Sequence, residues 1–245
     1  MKIVFAGCSF TWGAELKNRE EQRYSRLVCN KLGAEEINVS RYGYSNDLLL
    51  HKFLKYCTST EGGKPDIAVI QWTQMSRWQK WNDSQNDWEP LTIQMAGIQM
   101  AGKKATPMNG DAYTNQRRWN AFRYYRHVYT DQHAIENYWK NVYLAKQYCK
   151  DNDIKLIMMD KSDITRQTRS IDYVSPYQSL WEIGKSPNKN KFAFIFGDIV
   201  PFSKSMTPAE RQEYWMERQH PTPKGHQMIA DYVEEQIQLL SGGNS

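Results

Sequence analysis

The 245-residue chain lacks the features that would place it in several common classes. Its four cysteines, Cys8, Cys29, Cys57 and Cys149, are widely spaced and form no C-x-x-C pair, so neither a zinc site nor a disulfide framework is expected and the thiols should be reduced. No metal or other cofactor is called for. No stretch approaches the roughly 18 consecutive apolar residues that a membrane helix needs. The chain starts a strand after a single lysine, without the apolar core of a signal peptide, and is expected to be cytoplasmic. Neither charge sign dominates: a net +5 permits an anionic partner without requiring one. A phosphate loop is missing too, since Gly184-Lys185-Ser186 has Ser179 where that motif needs glycine.

What is present is a start of unusual information content. The β-branched run Lys2-Ile3-Val4-Phe5-Ala6 ends abruptly in Gly7-Cys8-Ser9-Phe10-Thr11, which reads as a short buried strand followed by a small nucleophile. Ligands of open α/β sheets bind at such carboxyl ends. Ser9 needs a base, and the other end of the chain offers His220-Pro221-Thr222-Pro223-Lys224-Gly225-His226, a loop that opens with histidine and enters a helix. The pair suggests a serine hydrolase.

Between these ends the pattern is strand, turn, helix. Tyr24, Leu27, Val28 and Leu32 share one face of a helix from Glu20 to Leu32, capped by Gly33. A short strand Ile37-Asn38-Val39 follows, and its exit Tyr42-Gly43-Tyr44-Ser45-Asn46-Asp47 supplies a turn and N-cap candidates for a helix bearing Leu49, Leu50, Phe53, Leu54 and Cys57. Asp66 to Trp72 reads as a third strand, buried on both faces. Three such units in 72 residues predict an α/β domain with a parallel, doubly wound sheet. Alternation resumes in a helix over Asp131 to Asp151, a strand over Ile154 to Met159, an irregular stretch over Lys161 to Lys191, and a helix after Thr222 with Pro223 in its first turn. We read residues 1–245 as a single domain.

From about 77 to 130 the alternation stops, and we read an irregular, Trp-rich insertion containing the tandem pentapeptide Ile93 to Gly102. The repeat is too short for a solenoid. Aromatic residues make up 13% of the chain, including nine tryptophans. An indole offers a flat apolar face and one donor, so Trp12, Trp72 and Trp78 are candidate substrate contacts. The run Arg117 to Arg126 mixes arginines and aromatics and could hold nucleic acid; nothing else in the chain supports that partner, and a helix with a solvated basic face is the expectation.

These residues resemble the short sequence blocks of the SGNH/GDSL hydrolase superfamily. Gly7-Cys8-Ser9-Phe10-Thr11 is similar to the first block, Asn38 through Gly43 to Asn46 to the second, and His220-Pro221 with Gly225-His226 to the last. The resemblance implies a three-layer α/β/α sandwich with a flavodoxin-like sheet. It assigns Ser9 as nucleophile, His220 as base, the Ser9 and Gly43 amides to the oxyanion hole, and the acid to Glu217, three residues before the histidine. Gln219 or an acid distant in sequence are the alternatives to Glu217, and His226 is expected to pack.

The chain also departs from that family pattern. The third block usually supplies an asparagine, but Gln71-Trp72-Thr73-Gln74 has none, leaving Thr73, Gln74 or Asn46 as the third donor. Cys8 stands where the family has aspartate, as does Glu217. The expected function is hydrolysis of an ester, with acetylated carbohydrate as the leading substrate class, through an acyl-Ser9 intermediate. The alternatives are a catalytically silent carbohydrate-binding module of the same fold and a nucleic-acid-binding protein.

Overall fold

In the computed structural model, residues 1–92, 112–160, 192–198, 213–214 and 220–242 are described. Five parallel strands form the sheet: β1 (Lys2–Ala6), β2 (Glu35–Asn38), β3 (Ile67–Trp72), β6 (Lys155–Asp160) and β7 (Phe192–Asp198), in the order β2-β1-β3-β6-β7. That is the flavodoxin-like order, with its switch point between β1 and β3. β7 was not anticipated.

Period-2 alternation divides the strand residues between two cores. Val4, Ala6, Ala68, Ile70, Leu156 and Met158 face α4 (Asn46–Thr58) and α6 (Asp131–Asp151), where they meet Leu49, Phe53, Ile135, Tyr138 and Val142. Ile3, Phe5, Ile67, Val69, Ile157 and Met159 face α3 (Tyr24–Leu32) and α7 (Pro223–Leu240), where they meet Val28, Ile229, Val233 and Ile237. Helices thus cover both faces of the sheet, which makes the expected α/β/α sandwich. Ser45, Thr130 and Thr222 cap α4, α6 and α7 by accepting the backbone N–H three residues on.

Two expectations need correction. The helix expected over Glu20 to Leu32 is two pieces, α2 (Arg19–Gln22) and α3, because Arg23 is extended at φ −68°, ψ 144°. The break lets Arg23 reach Glu36 with Nε and Nη2, at 2.8 and 3.0 Å. The stretch from 77 to 130 is also more regular than its sequence suggested. It holds an antiparallel hairpin, β4 (Trp78–Asn82) with β5 (Asp87–Leu91), and α5 (Ala112–His127). Arg117 of α5 reaches Glu89 at 2.7 Å and the Pro90 carbonyl at 2.6 Å, while Tyr124 and Tyr125 are buried against the hairpin. The pentapeptide repeat lies outside the described residues.

No disulfide links any of the four cysteines in this structure. No helix among the described residues is long and apolar enough to cross a membrane, and none of their acidic, histidine and cysteine side chains cluster in a way that would hold a metal ion.

Glu36 is a deeply buried charge, with its side chain 1% exposed. Burial alone would raise its pKa, but hydrogen bonds from Arg23 and Ser25, with the charges of Arg23 and Arg26, hold it below the ordinary 4.5. A carboxylate with a lowered folded pKa stabilises above its unfolded value and loses that effect as pH falls through the folded one. Glu36→Gln should therefore cost about 3 kcal/mol at neutral pH. Thermal melts from pH 7 to 3 check this: the wild type should fall more steeply than the variant below pH 4.5.

Candidate active site

The site grows from a close approach at the end of β1. A Cβ added at Gly7 would lie 2.1 Å from Thr11 Oγ1 and 3.2 Å from Gln71 Cβ, so only glycine lets the chain turn here against β3. Thr11 Oγ1 donates to Gln71 Oε1 at 2.6 Å and therefore accepts from the Tyr24 hydroxyl at 2.9 Å. Held this way, α1 (Ser9–Trp12) starts immediately, with Ser9 at its first position and 1% exposed. Ser9 Oγ donates to Cys8 Sγ at 3.9 Å, a weak contact, and makes no other hydrogen bond among the described residues.

The second block is fastened to the first. Asn38, at the end of β2, donates through Nδ2 to the Thr11 carbonyl at 3.0 Å and to Ser25 Oγ at 2.9 Å, and Ser25 in turn donates to Glu36 at 2.6 Å. Gly43 follows at φ 83°, a left-handed conformation suited to glycine. Asn46 then clamps the third block: its Nδ2 donates to the Thr73 carbonyl at 3.1 Å, and its Oδ1 accepts the Thr73 N–H at 2.8 Å. Both ends of that amide are engaged by backbone, which makes Asn46 a clamp before anything else. Thr73 is completely buried, and its hydroxyl has no hydrogen-bond partner among the described residues. Gln74 sits half-buried in the turn that follows, where its carbonyl accepts the Arg77 N–H.

His220 comes to this loop cluster from the far end of the chain. Its ring lies edge-on to Phe10 with centroids 5.7 Å apart, and 6.1 Å from the ring of Tyr42. The histidine is thus bracketed by the residue after Ser9 and the residue before Gly43. His226, one turn into α7, packs as expected: its Nδ1 accepts the Tyr24 N–H at 3.2 Å and its ring stacks on Tyr24. Burial, and then the charge that His220 carries when protonated, lower the His226 pKa to about 3, so it stays neutral. Gly225 leaves room for the backbone of the preceding segment, since a Cβ there would meet the Tyr214 carbonyl at 2.3 Å.

Glu217 and Gln219 lie outside the described residues. A different carboxylate meets the candidate base: Glu15 Oε1 is 3.2 Å from His220 Nδ1. No spacing motif points to Glu15; its one oddity is a backbone φ of 70° in a residue other than glycine. Tyr42, 57% exposed, was likewise passed over as a mere turn residue.

The three candidate tryptophans have different fates. Trp72 is a correction: it is completely buried, donates from Nε1 to Met158 Sδ at 3.2 Å and packs edge-on against Tyr138. As the last residue of β3 it points with Ala68 and Ile70 into the α4/α6 core, beyond reach of a substrate. Trp78 is half-buried, stacked face to face on Tyr124 at 4.1 Å, and lines an open pocket with Asp47, Arg77 and Asn137. Trp12 is half-buried at the end of α1, with the Arg19 guanidinium 4.0 Å above its ring.

No protein-family model and no curated protein matches the sequence. Solved structures do match. A protein described as lipolytic and of the G-D-S-L family, from Desulfitobacterium hafniense DCB-2, superposes with a TM-score of 0.51 at 12% identity over 96% of this chain and 98% of its own. The chain has the fold of the SGNH/GDSL hydrolases. A carbohydrate esterase whose active site displays divergent catalytic and non-catalytic binding functions gives 0.53 at 15% identity, over 98% of this chain and 65% of the other. A family two carbohydrate esterase from Clostridium thermocellum, in complex with cellohexaose, gives 0.51 at 13%, over 97% and 63%. At such identities the likeness is one of SGNH fold.

The geometry around Gly7 carries a direct test. Gly7→Ala must move Thr11 or β3, and overpacking of this kind costs about 2 kcal/mol. Urea unfolding should show that loss. An alanine variant as stable as the wild type would mean that the turn is not held as described.

Proposed function

We propose that the chain is a serine ester hydrolase of the SGNH type. The observation that carries this reading is the position of His220, between Phe10 of the Ser9 loop and Tyr42 beside Gly43. On this reading Ser9 Oγ attacks the ester carbonyl carbon while His220 Nε2 takes its proton. The imidazolium then protonates the departing alcohol, and a water repeats the sequence to release the acid and restore Ser9. The oxyanion of each tetrahedral intermediate is received by the Ser9 and Gly43 amides. The third donor is the Thr73 hydroxyl, which is already desolvated and has no other partner among the described residues. Asn46 keeps that strand end in place.

For the substrate we propose an acetyl ester of a carbohydrate. Tyr42 presents an exposed ring beside the base and Trp12 a half-buried one at the end of α1, and aromatic faces suit the C–H faces of sugar rings. Two of the similar structures are carbohydrate esterases, which agrees with that choice.

One observation favours a second reading, a catalytically silent binding module: Ser9 Oγ is engaged with Cys8 instead of His220. Catalytic hydrogen bonds are often loose before substrate binds, so this contact is compatible with the first reading. A nucleic-acid partner is poorly served by the run Arg117 to Arg126, where Arg117 is paired and Tyr124 and Tyr125 are buried.

Hydrolysis of an aryl acetate and of an acetylated sugar decides between the readings. Ser9→Ala and His220→Ala should each lower turnover by about a thousandfold or more, because nucleophile and base act as one unit. Near-normal turnover in Ser9→Ala would refute the assignment, and failure of the wild type to take up a fluorophosphonate would favour the silent module. Thr73→Val removes only the hydroxyl and should lower kcat by about a hundredfold with KM little changed, since the oxyanion exists only in the transition state.

A further inference from the structure

Among the described residues, a carboxylate of the nucleophile's own loop lies 3.2 Å from the base. We propose that Glu15 is the positioning acid of the site: it accepts the His220 Nδ1 proton, fixes the tautomer that leaves Nε2 free for Ser9, and stabilises the imidazolium. The inference rests on the esterase reading above.

Distance is the first support, with Glu15 Oε1 3.2 Å from His220 Nδ1. The backbone is the second. Glu15 sits at φ 70°, a conformation that L side chains adopt at a cost and that persists where the surroundings impose it. Here they do impose it. Gly13, left-handed at φ 77°, turns the chain at the end of α1, and the Ala14 N–H donates to the Ser9 carbonyl at 2.8 Å. Around that turn Arg19, Arg23 and Leu16 crowd so closely that a Cβ on Gly13 would lie about 3 Å from each. The turn therefore projects Glu15 from the same rigid loop that holds Ser9. Nothing in the stability of α1 requires a glutamate at this position, and glycine would relieve the strain.

The groups that face His220 agree with this role. Among the described groups, Phe10 and Tyr42 bring aromatic rings, His226 on α7 is neutral, and Glu15 brings a carboxylate to the imidazole. Nucleophile and acid then move together as one loop. The base joins them from the segment just before α7, more than 200 positions further along the chain.

The test uses the whole chain and reads the histidine directly. The His220 imidazole is titrated by NMR, assigned by its loss in His220→Asn, in the wild type and in Glu15→Gln, Glu15→Gly, Glu15→Asp and Glu217→Gln. Glu15→Gln should lower the His220 midpoint by about one pH unit, because a carboxylate at this distance favours the charged ring. The kcat for an aryl acetate should fall at least about tenfold, with the acid limb of kcat/KM displaced to lower pH alongside the midpoint. Glu15→Gly should melt at or above the wild-type temperature and still lose that activity, a combination that a structural role would not produce. Glu15→Asp should restore part of the rate, and the His220 midpoint should move further in Glu15→Gln than in Glu217→Gln. An unmoved midpoint in Glu15→Gln, or a larger shift in Glu217→Gln, overturns the inference. A wild type without turnover overturns the esterase reading and Glu15's catalytic role with it, while the titration still reports whether the two side chains pair.

Discussion

The site depends on one close contact, the hydrogen bond from Thr11 to Gln71 across Gly7. The missing side chain at Gly7 lets α1 begin with only Gly7 and Cys8 between it and the end of β1, and Gln71 of the neighbouring strand holds it there. Ser9 is placed by that geometry before any base is considered. From the same contact run the ties that align the other loops: Tyr24 donates to Thr11, Asn38 joins the Thr11 carbonyl to Ser25 and Glu36, and Asn46 holds the backbone of Thr73. These polar groups are mostly buried, so each unmade bond would carry a desolvation penalty, and the network tolerates few alternative arrangements.

His220 is joined to this frame through helix packing. α7 lies on the same core as α3, and His226 binds the first N–H of α3 while stacking on Tyr24, whose hydroxyl bonds Thr11. Two residues that look alike in the sequence therefore divide the work. The buried, neutral His226 fixes where α7 begins relative to the Ser9 loop, and His220, just before the cap at Thr222, reaches the carboxyl edge of the sheet. The hairpin of β4 and β5 and the helix α5 add a wall beside the second block, with Pro90 3.4 Å from where a Cβ on Gly43 would stand. Their aromatic residues mostly hold that wall together, as the Trp78–Tyr124 stack does.

The sequence by itself determined the strand-turn-helix order, the caps and the placing of Ser9 and His220 at loop starts. All of these follow from local rules: apolar periodicity, glycine where a left-handed turn is needed, a side-chain oxygen at a helix N-terminus. It also determined the parallel sheet, since β-branched runs separated by helices pair in few ways. Tertiary structure decided what local rules do not carry. The side on which Trp72 falls depends on the parity of β3 in its sheet, and the break at Arg23 depends on Glu36, a partner thirteen residues away. The carboxylate at His220 was decided in the same way, because ion pairs form between groups that the fold brings together. Glu15 and His220 lie more than 200 positions apart in the chain, yet they meet because α3 and α7 pack on one face of the sheet.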